Sequence, residues 1–210
     1  MEENFWRSRW ENNQLGFHES AANPNLVANF KALSLQQNDR VFLPLCGKTL
    51  DIKWLLSQGF RVVGAELVED AIVQLFADLK MEPEVLSVDN FLRYTATGID
   101  IFVGNIFDLS QEIVGHVDAV YDRAALVALP VEMREKYTKH LVTITASAPQ
   151  LLVTFVYDQN IMEGPPFSVD NEEVQRHYDH TYRTTLLESN DVPGGLKGKC
   201  SAAEHVWLLR

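Results

Sequence analysis

Glu66 is the residue whose type and position most clearly suggest chemistry. It stands nineteen positions after Gly47 and directly follows an apolar run that includes Val62, Val63 and Ala65. In nucleotide-binding α/β proteins, an acid at the end of the second strand accepts hydrogen bonds from the two hydroxyl groups of a ribose. We therefore predict that Glu66 binds a ribose, against the alternative of a surface glutamate that begins a helix.

The unit that must position Glu66 is a strand–turn–helix–strand segment, Arg40–Glu69. An apolar strand over Val41–Leu45 leads into Cys46 and Gly47, and an amphipathic helix follows before the second strand begins. This order is typical of the first half of a doubly wound parallel sheet. Strands that alternate with helices along the rest of the chain, followed by a final pair of strands, predict an α/β fold with an antiparallel edge.

The turn between the first strand and the helix indicates the kind of ligand. Dinucleotide folds use three glycines so that the backbone can approach a pyrophosphate, whereas Gly47 is the one glycine here. A ligand with a ribose and no phosphate suits this turn, and S-adenosylmethionine has that composition. We predict that Gly47 contacts it. A nicotinamide-dependent oxidoreductase is the alternative that the single glycine disfavours.

A second candidate segment, Gly104–Leu109, follows the third core strand. Ile106 and Phe107 offer apolar walls for an adenine ring, and Asn105 and Asp108 offer polar partners for its amine. The alternative is that Asp108 caps the start of a helix. The residue types alone leave both interpretations open.

Asp122 and Arg123 end the fourth strand with a charged pair. Open α/β sheets bind their ligands at the carboxyl ends of the strands, where a guanidinium can hold an anionic or electron-rich acceptor. The alternative is a surface ion pair, which is common and contributes little to stability. We predict that Arg123 is a site residue.

The first thirty residues are rich in aromatic side chains. Phe5, Trp6, Trp10 and Phe17 lie among charged and amide residues, with a spacing that predicts an amphipathic helix. Such residues serve either as ordinary core or as a lid over a ligand, and the spacing by itself favours core.

Composition excludes several classes of protein. A net charge of −11 argues against a nucleic-acid partner, and no apolar run is long enough for a membrane span. The acidic, polar beginning of the chain predicts no secretory signal, so we expect a cytoplasmic protein with Cys46 and Cys200 reduced. His177 and His180 are interpreted as solvated residues at a helix end, and we expect no metal site.

The sequence resembles the thiopurine S-methyltransferase family over nearly its whole length. The segments that carry the resemblance are F-W-x-x-R-W at Phe5–Trp10, G-F-H at Gly16–His18, V-F-L-P-L-C-G-K-x-x-D-x-x-W-L at Val41–Leu55, G-x-E at Gly64–Glu66, N-I-F-D-L at Asn105–Leu109, Y-D-R-A-A-L-V-A-L at Tyr121–Leu129 and G-P-P-F at Gly164–Phe167. The combination of P-L-C-G-K with D-R-x-A-L-V-A is specific.

This resemblance implies a Rossmann-like class I methyltransferase with a mostly parallel seven-stranded sheet and helices on both faces. We expect residues 1–210 to form one domain on which residues 1–33 pack as a helical lid. The family moves a methyl group from S-adenosylmethionine to the sulfur of an aromatic or heterocyclic thiol such as a thiopurine. No metal takes part, and we expect a monomer.

The resemblance also implies roles for individual residues. Trp10, Leu45, Glu66 and Arg123 are expected to contact the cofactor. Arg123 also faces the acceptor as the catalytic residue, and two further residues, Phe17 and Ile106, lie near the cofactor. Asn105 departs from many bacterial relatives, which have an acid at this position, and the segment 194–203 matches only loosely.

Three alternatives to the methylation of aromatic thiols such as thiopurines stay open. Bacterial members of the family are associated with methylation of selenium and tellurium species and with tellurite resistance. Methylation of small thiols is a nearer alternative, and a non-catalytic protein that binds S-adenosyl compounds is the third.

Overall fold

The computed structural model describes residues 3–12, 19 and 21–210. Its helices are α1 (Glu3–Glu11), α2 (Pro24–Asn29), α3 (Asp51–Ser57), α4 (Glu69–Leu79), α5 (Gln111–Val114), α6 (Val131–Ile144) and α7 (Asn171–Tyr178). Its strands are β1 (Arg40–Leu43), β2 (Arg61–Glu66), β3 (Glu84–Val88), β4 (Phe91–Ala96), β5 (Ile99–Val103), β6 (Ala119–Arg123), β7 (Gln150–Tyr157), β8 (Thr184–Asp191) and β9 (Ala202–Leu209). Within these ranges, none of the helices has the length and apolar character that a membrane span requires.

The nine strands of the described residues form one sheet in the order β3-β4-β5-β2-β1-β6-β7-β9-β8. The five central strands, from β5 to β7, are parallel. An antiparallel pair extends the sheet at each end. The predicted α/β fold with a parallel centre and an antiparallel edge is confirmed, and the predicted seven strands are too few by two.

A strand or hairpin is predicted over Phe91–Thr95 and Ile99–Val103, where β4 and β5 lie, so β3 is the strand that the sequence patterns miss. Glu84–Val88 lacks the apolar alternation of a half-buried strand, and in the structure four of its five side chains are exposed. Its hydrogen bonds to β4 hold it in the sheet. The sheet therefore ends on this side in a largely exposed edge strand.

The core lies on both faces of the central strands, which explains their continuous apolar sequences. On one face, Phe42 and Val63 pack in a buried cluster with Tyr137 of α6. On the other face, Val41 and Val62 belong to a second buried cluster that includes side chains of α2, α3 and α4. This packing fixes the carboxyl ends of β1, β2, β5 and β6 next to one another.

The prediction of a solvated His177 is wrong. Its side chain is buried, and its Nε2 lies 3.3 Å from Oε1 of Glu173. Glu173 also accepts two hydrogen bonds from Nη1 of Arg134, at 2.8 and 2.9 Å. His177 therefore belongs to a buried polar group between α6 and α7, whereas His180 is exposed as predicted.

Asp122 does not form a surface ion pair with Arg123, because adjacent residues of a strand point to opposite faces. The Asp122 side chain is fully buried. It accepts a hydrogen bond from the Tyr137 hydroxyl at 2.7 Å and another from the Leu126 backbone N–H at 3.1 Å. Asp122 thus anchors the loop after β6, while Arg123 is left on the side of the candidate site.

Burial raises the pKa of Asp122 to about 6, although both hydrogen bonds favour its charged form. The pKa of an aspartate in an unfolded chain is about 3.9. Between this pH and about 6, the folded protein therefore binds more protons than the unfolded chain, and its stability falls as the pH rises. In Asp122→Asn this loss is absent. The free energy of unfolding of the variant, measured relative to wild type by urea denaturation, should rise by about 2 kcal/mol between pH 4 and pH 7. A difference that is constant with pH would contradict the raised pKa.

Candidate cofactor and acceptor site

A pocket opens where β1, β2, β5 and β6 end, bordered by α1. It is lined by the loop after β1, by Glu66, by the segment after β5 and by Arg123 with the loop that follows it. The structure thus brings together six of the seven predicted site residues: Trp10, Leu45, Gly47, Glu66, Ile106 and Arg123. The seventh, Phe17, lies outside the described residues.

Glu66 is buried at the end of β2, so the alternative of a surface glutamate is wrong. Its Oε2 accepts a hydrogen bond from the Gly47 backbone N–H at 2.8 Å. Its Oε1 accepts from the backbone N–H groups of Leu67 and Val68 at 2.9 and 3.0 Å. Burial raises the pKa of Glu66, and the three N–H groups oppose that shift by favouring the carboxylate. Oε2, which accepts one of these bonds, keeps the clearest capacity to accept another.

Two of the loops that line the pocket contain non-glycine residues with left-handed backbone. Leu45, after β1, has φ 47°, and Ala124, after β6, has φ 62°. A side chain with a Cβ adopts this conformation at a cost that the surrounding structure must offset, and such residues cluster at functional sites. Both strained positions therefore lie in loops of the candidate site.

Trp10 of α1 packs on the loop after β1. Gly47 has φ 51°, and a Cβ at this position would lie 3.3 Å from Cζ2 of Trp10. The glycine therefore provides both the left-handed backbone and the space for the indole ring. Trp6 and Arg9 of the same helix also line the pocket. The aromatic N-terminal helix thus borders the pocket, which the residue spacing alone did not favour.

The segment after β5 gives the pocket its apolar wall. Ile106 is buried and, with Phe107, lines the pocket. Asn105, and not Asp108, caps this short helical turn, because its side-chain oxygen accepts the Phe107 backbone N–H at 3.0 Å. Asp108 is exposed.

Arg123 lies among acidic side chains. Its Nη2 forms an ion pair with Oε1 of Glu19, and its Nη1 lies 3.8 Å from Oδ2 of Asp51. The Arg123 side chain is 11% exposed and that of Asp51 is 1% exposed, so solvent screens this pair little, whereas Glu19 is 42% exposed. Arg123 is therefore a largely buried cation at the β6 side of the pocket.

Two buried polar residues of the pocket are not singled out by the sequence patterns. Asp51 begins α3 and is 1% exposed, and Tyr121 on β6 is 2% exposed. Tyr121 lies two positions before Arg123 in the strand and therefore on the same face. That alternation could have placed Tyr121 near the site, and both residues stand at specified positions of the motifs that carry the family resemblance. The burial of Asp51, by contrast, depends on packing.

Cys46 does not act as a nucleophile in this site. Burial, together with the nearby charge of Glu66, raises the pKa of its thiol well above the ordinary value. Reactive cysteines have the opposite shift, since the thiolate is the nucleophile. Its role as a small, buried residue of the loop agrees with the sequence-based interpretation.

Solved structures identify the class to which this fold belongs. The chain is similar to an S-adenosylmethionine-dependent methyltransferase from Anabaena variabilis, with a TM-score of 0.63 and 16% identity over 99% of this chain and 95% of that chain. It is also similar to 1,6-didemethyltoxoflavin-N1-methyltransferase from Burkholderia thailandensis, solved with bound 1,6-didemethyltoxoflavin and S-adenosylhomocysteine. That match has a TM-score of 0.66 and 15% identity over 99% and 86% of the two chains. The fold is that of a class I methyltransferase.

Sequence comparison defines the family. The model of the thiopurine S-methyltransferase family matches residues 1–209. The thiopurine S-methyltransferase of Xanthobacter autotrophicus is 54% identical over 100% of this chain and 99% of its own length. That of Gluconobacter oxydans is 47% identical over 97% and 92%. The chain belongs to the thiopurine S-methyltransferase family and is an S-adenosylmethionine-dependent methyltransferase, which confirms the resemblance found from its motifs.

Proposed function

We propose that this protein transfers the methyl group of S-adenosylmethionine to the sulfur of aromatic or heterocyclic thiols such as thiopurines. The observation that carries the proposal is the placement of Glu66 and Arg123 on one pocket, at the ends of β2 and β6, with apolar walls between them. Glu66 can bind the ribose of the cofactor, and Arg123 can bind an electron-rich acceptor. The two ligands must lie next to each other for a methyl group to pass between them. The names of the relatives support the same chemistry.

The residues at the β2 side fit the adenosyl part of the cofactor. Glu66 retains acceptor capacity for the ribose hydroxyl groups, and the backbone at Leu45 and Gly47 lines the space beside it. Ile106 provides an apolar wall for adenine, and Trp10 covers the loop. When bound, S-adenosylmethionine supplies a methyl group that its positively charged sulfur activates toward nucleophiles.

The residues at the β6 side fit the acceptor. A cation near the acceptor sulfur favours its thiolate form, so that Arg123 can hold and orient the nucleophile without a separate general base. Leu129 and Met133 also line the pocket and provide apolar surface for an aromatic ring. We infer that these residues align the acceptor and exclude water, which favours a single displacement step.

The proposal extends to the role of the N-terminal segment and to the location, oligomeric state and metal requirement of the protein. We infer that residues 1–33 cover the bound ligands as a lid on one methyltransferase domain, which the position of Trp10 over Gly47 supports. We also infer a cytoplasmic monomer that works without a metal ion. Light scattering during size-exclusion chromatography would test the monomer, with a dimer mass as the contradicting result.

A methyl-transfer panel tests the proposed reaction. The wild-type protein is incubated with S-adenosylmethionine carrying a labelled methyl group and with thiopurines, aromatic thiols, the matching phenols, selenite or tellurite. We expect labelled thioethers from the aromatic thiols and none from the phenols. Labelled products from selenite or tellurite alone would identify metalloid methylation as the reaction instead. Binding of S-adenosylhomocysteine without turnover of any acceptor would indicate a non-catalytic binding protein.

Gly47→Ala tests the contact between the loop and Trp10. A left-handed alanine costs about 1 kcal/mol, and its methyl group would push against the indole ring. We expect about tenfold weaker binding of S-adenosylhomocysteine by calorimetry, since each tenfold loss is about 1.4 kcal/mol. Gly98→Ala is the matched control, because Gly98 has φ 80° in the turn between β4 and β5, outside the pocket lining. Equal affinities in the two variants would contradict the role of Gly47.

A further inference from the structure

Asp51 and Tyr121 present two buried oxygen atoms whose partners, among the residues the structure describes, are each other and, for Asp51, the Arg123 guanidinium. These atoms are Oδ2 of Asp51 and the hydroxyl oxygen of Tyr121. Both side chains line the pocket and are at least 98% buried. An incompletely satisfied buried polar atom is costly, and in a binding pocket it indicates that a ligand supplies a further partner.

The orientation of the Asp51 carboxylate is fixed from outside the pocket. Its Oδ1 accepts the Asn23 backbone N–H at 2.7 Å, and the Asn23 side chain in turn caps α2. Oδ2 is therefore held on the pocket side, 3.8 Å from Nη1 of Arg123. Burial, the charge of Asp51 and a hydrogen bond to its carboxylate raise the pKa of Tyr121 well above its ordinary value. The hydroxyl therefore stays protonated and donates toward Asp51, which leaves its oxygen able to accept a hydrogen bond from a ligand.

The charges around this point do not balance. The Arg123 guanidinium faces the carboxylates of Glu19 and Asp51, and Glu204 interacts with it electrostatically from β9. Asn25 donates a hydrogen bond to Glu204 at 2.7 Å, but its amide is neutral and adds no positive charge. Three carboxylates thus lie around Arg123, although Glu19 is 42% exposed. Two further cations, Arg9 and Lys48, line other parts of the pocket. A cationic N–H group of a ligand would reduce this excess of negative charge, since charges interact strongly where solvent is excluded.

We propose that Asp51 Oδ2 and the Tyr121 hydroxyl form a subsite that accepts an N–H donor group of a bound ligand. The inference rests on the proposed function, which supplies two ligands with such a group. One is the α-ammonium group of the methionine part of the cofactor, and the other is a ring N–H of a heterocyclic thiol. The excess of carboxylates favours the ammonium group.

Asp51→Asn and Tyr121→Phe test the subsite with two matched pairs of ligands. The asparagine keeps the size of the side chain and its bond to Asn23 but presents an N–H group where the acceptor was. The cofactor pair is S-adenosylhomocysteine and 5′-methylthioadenosine, which lacks the amino acid part, both measured by calorimetry. The acceptor pair is 2-mercaptobenzimidazole, which has a ring N–H, and 2-mercaptobenzothiazole, which has none in its thiolate form.

If the ammonium group is the occupant, Asp51→Asn should weaken the binding of S-adenosylhomocysteine about tenfold or more. The affinity for 5′-methylthioadenosine should change by less than about twofold. If a ring N–H is the occupant, KM should rise about tenfold for the benzimidazole and not for the benzothiazole, with cofactor affinity unchanged. Tyr121→Phe should show the same ligand preference with a smaller effect. It also keeps the test valid if Asp51→Asn fails to fold.

Two control variants lie away from the pocket. Asp118→Asn alters a carboxylate that likewise accepts a backbone N–H at 2.7 Å, from Arg40, and Tyr94→Phe removes a hydroxyl that binds Glu69. Both should bind every ligand as wild type does. The proposed subsite would be contradicted if Asp51→Asn weakened the binding of both members of each pair equally. It would also be contradicted if the affinity or KM for all four ligands changed by less than about twofold. Failure of the wild-type protein to bind S-adenosylhomocysteine would instead contradict the proposed function.

Discussion

Arg123→Ala is expected to lower kcat/KM for aromatic thiols by about 100-fold or more while much of the affinity for S-adenosylhomocysteine persists. Removal of one preorganised donor at a site of developing or localised charge typically has an effect of this size. Arg123 is the cation that we propose to hold the acceptor thiolate, and its guanidinium forms ion pairs with Glu19 and Asp51. Steady-state kinetics with a saturating methyl donor would measure the loss.

Arg123→Lys is the matched control for this prediction. Lysine keeps the positive charge but loses the planar set of donors, so an intermediate kcat/KM is expected. Thermal unfolding of both variants must accompany the kinetics, because Arg123→Ala leaves the buried Asp51 without its nearby cation. Unchanged turnover of aromatic thiols by a folded Arg123→Ala protein would rule out the proposed role.

Glu66→Ala is expected to weaken the binding of S-adenosylhomocysteine by about 100-fold or more. Two hydrogen bonds to a charged acceptor, each contributing about 1.5 kcal/mol, correspond to a change of this size. The variant also removes the acceptor for the backbone N–H groups of Gly47, Leu67 and Val68, so the loop after β1 loses its anchor. Calorimetry on the folded variant would measure the affinity.

Glu66→Gln separates the charge of the side chain from its shape. Because burial raises the pKa of Glu66, wild-type affinity should fall as the pH is lowered through that pKa and the carboxylate takes up a proton. The glutamine variant should bind more weakly at neutral pH and lack this part of the pH dependence. Full affinity of Glu66→Ala for S-adenosylhomocysteine would contradict the ribose assignment.

The parallel centre of the sheet was predictable because its strands are buried on both faces. Val41–Leu45 and the run before Glu66 read as continuous apolar segments, and β1 and β2 lie there. The exposed strand Glu84–Val88 shows the limit of this signal. Its place in the sheet depends on hydrogen bonds to β4, and side-chain burial contributes little to it.

The candidate site was predictable where chain order alone places a residue at the end of a strand. Glu66 and Arg123 are of this kind, and both line the pocket. Asp51 was not predictable, because its orientation depends on a bond from Asn23, twenty-eight positions earlier in the chain. The buried Asp122 likewise required knowledge of Tyr137, which approaches it from α6.

A crystal structure with S-adenosylhomocysteine tests the central claim most directly. We expect the adenosyl group at the carboxyl ends of β1, β2 and β5, with both ribose hydroxyl groups within hydrogen-bond distance of the Glu66 carboxylate and with Trp10 over the ligand. A ligand bound elsewhere, or a Glu66 side chain that makes no contact with the ribose, would contradict the assignment of the site.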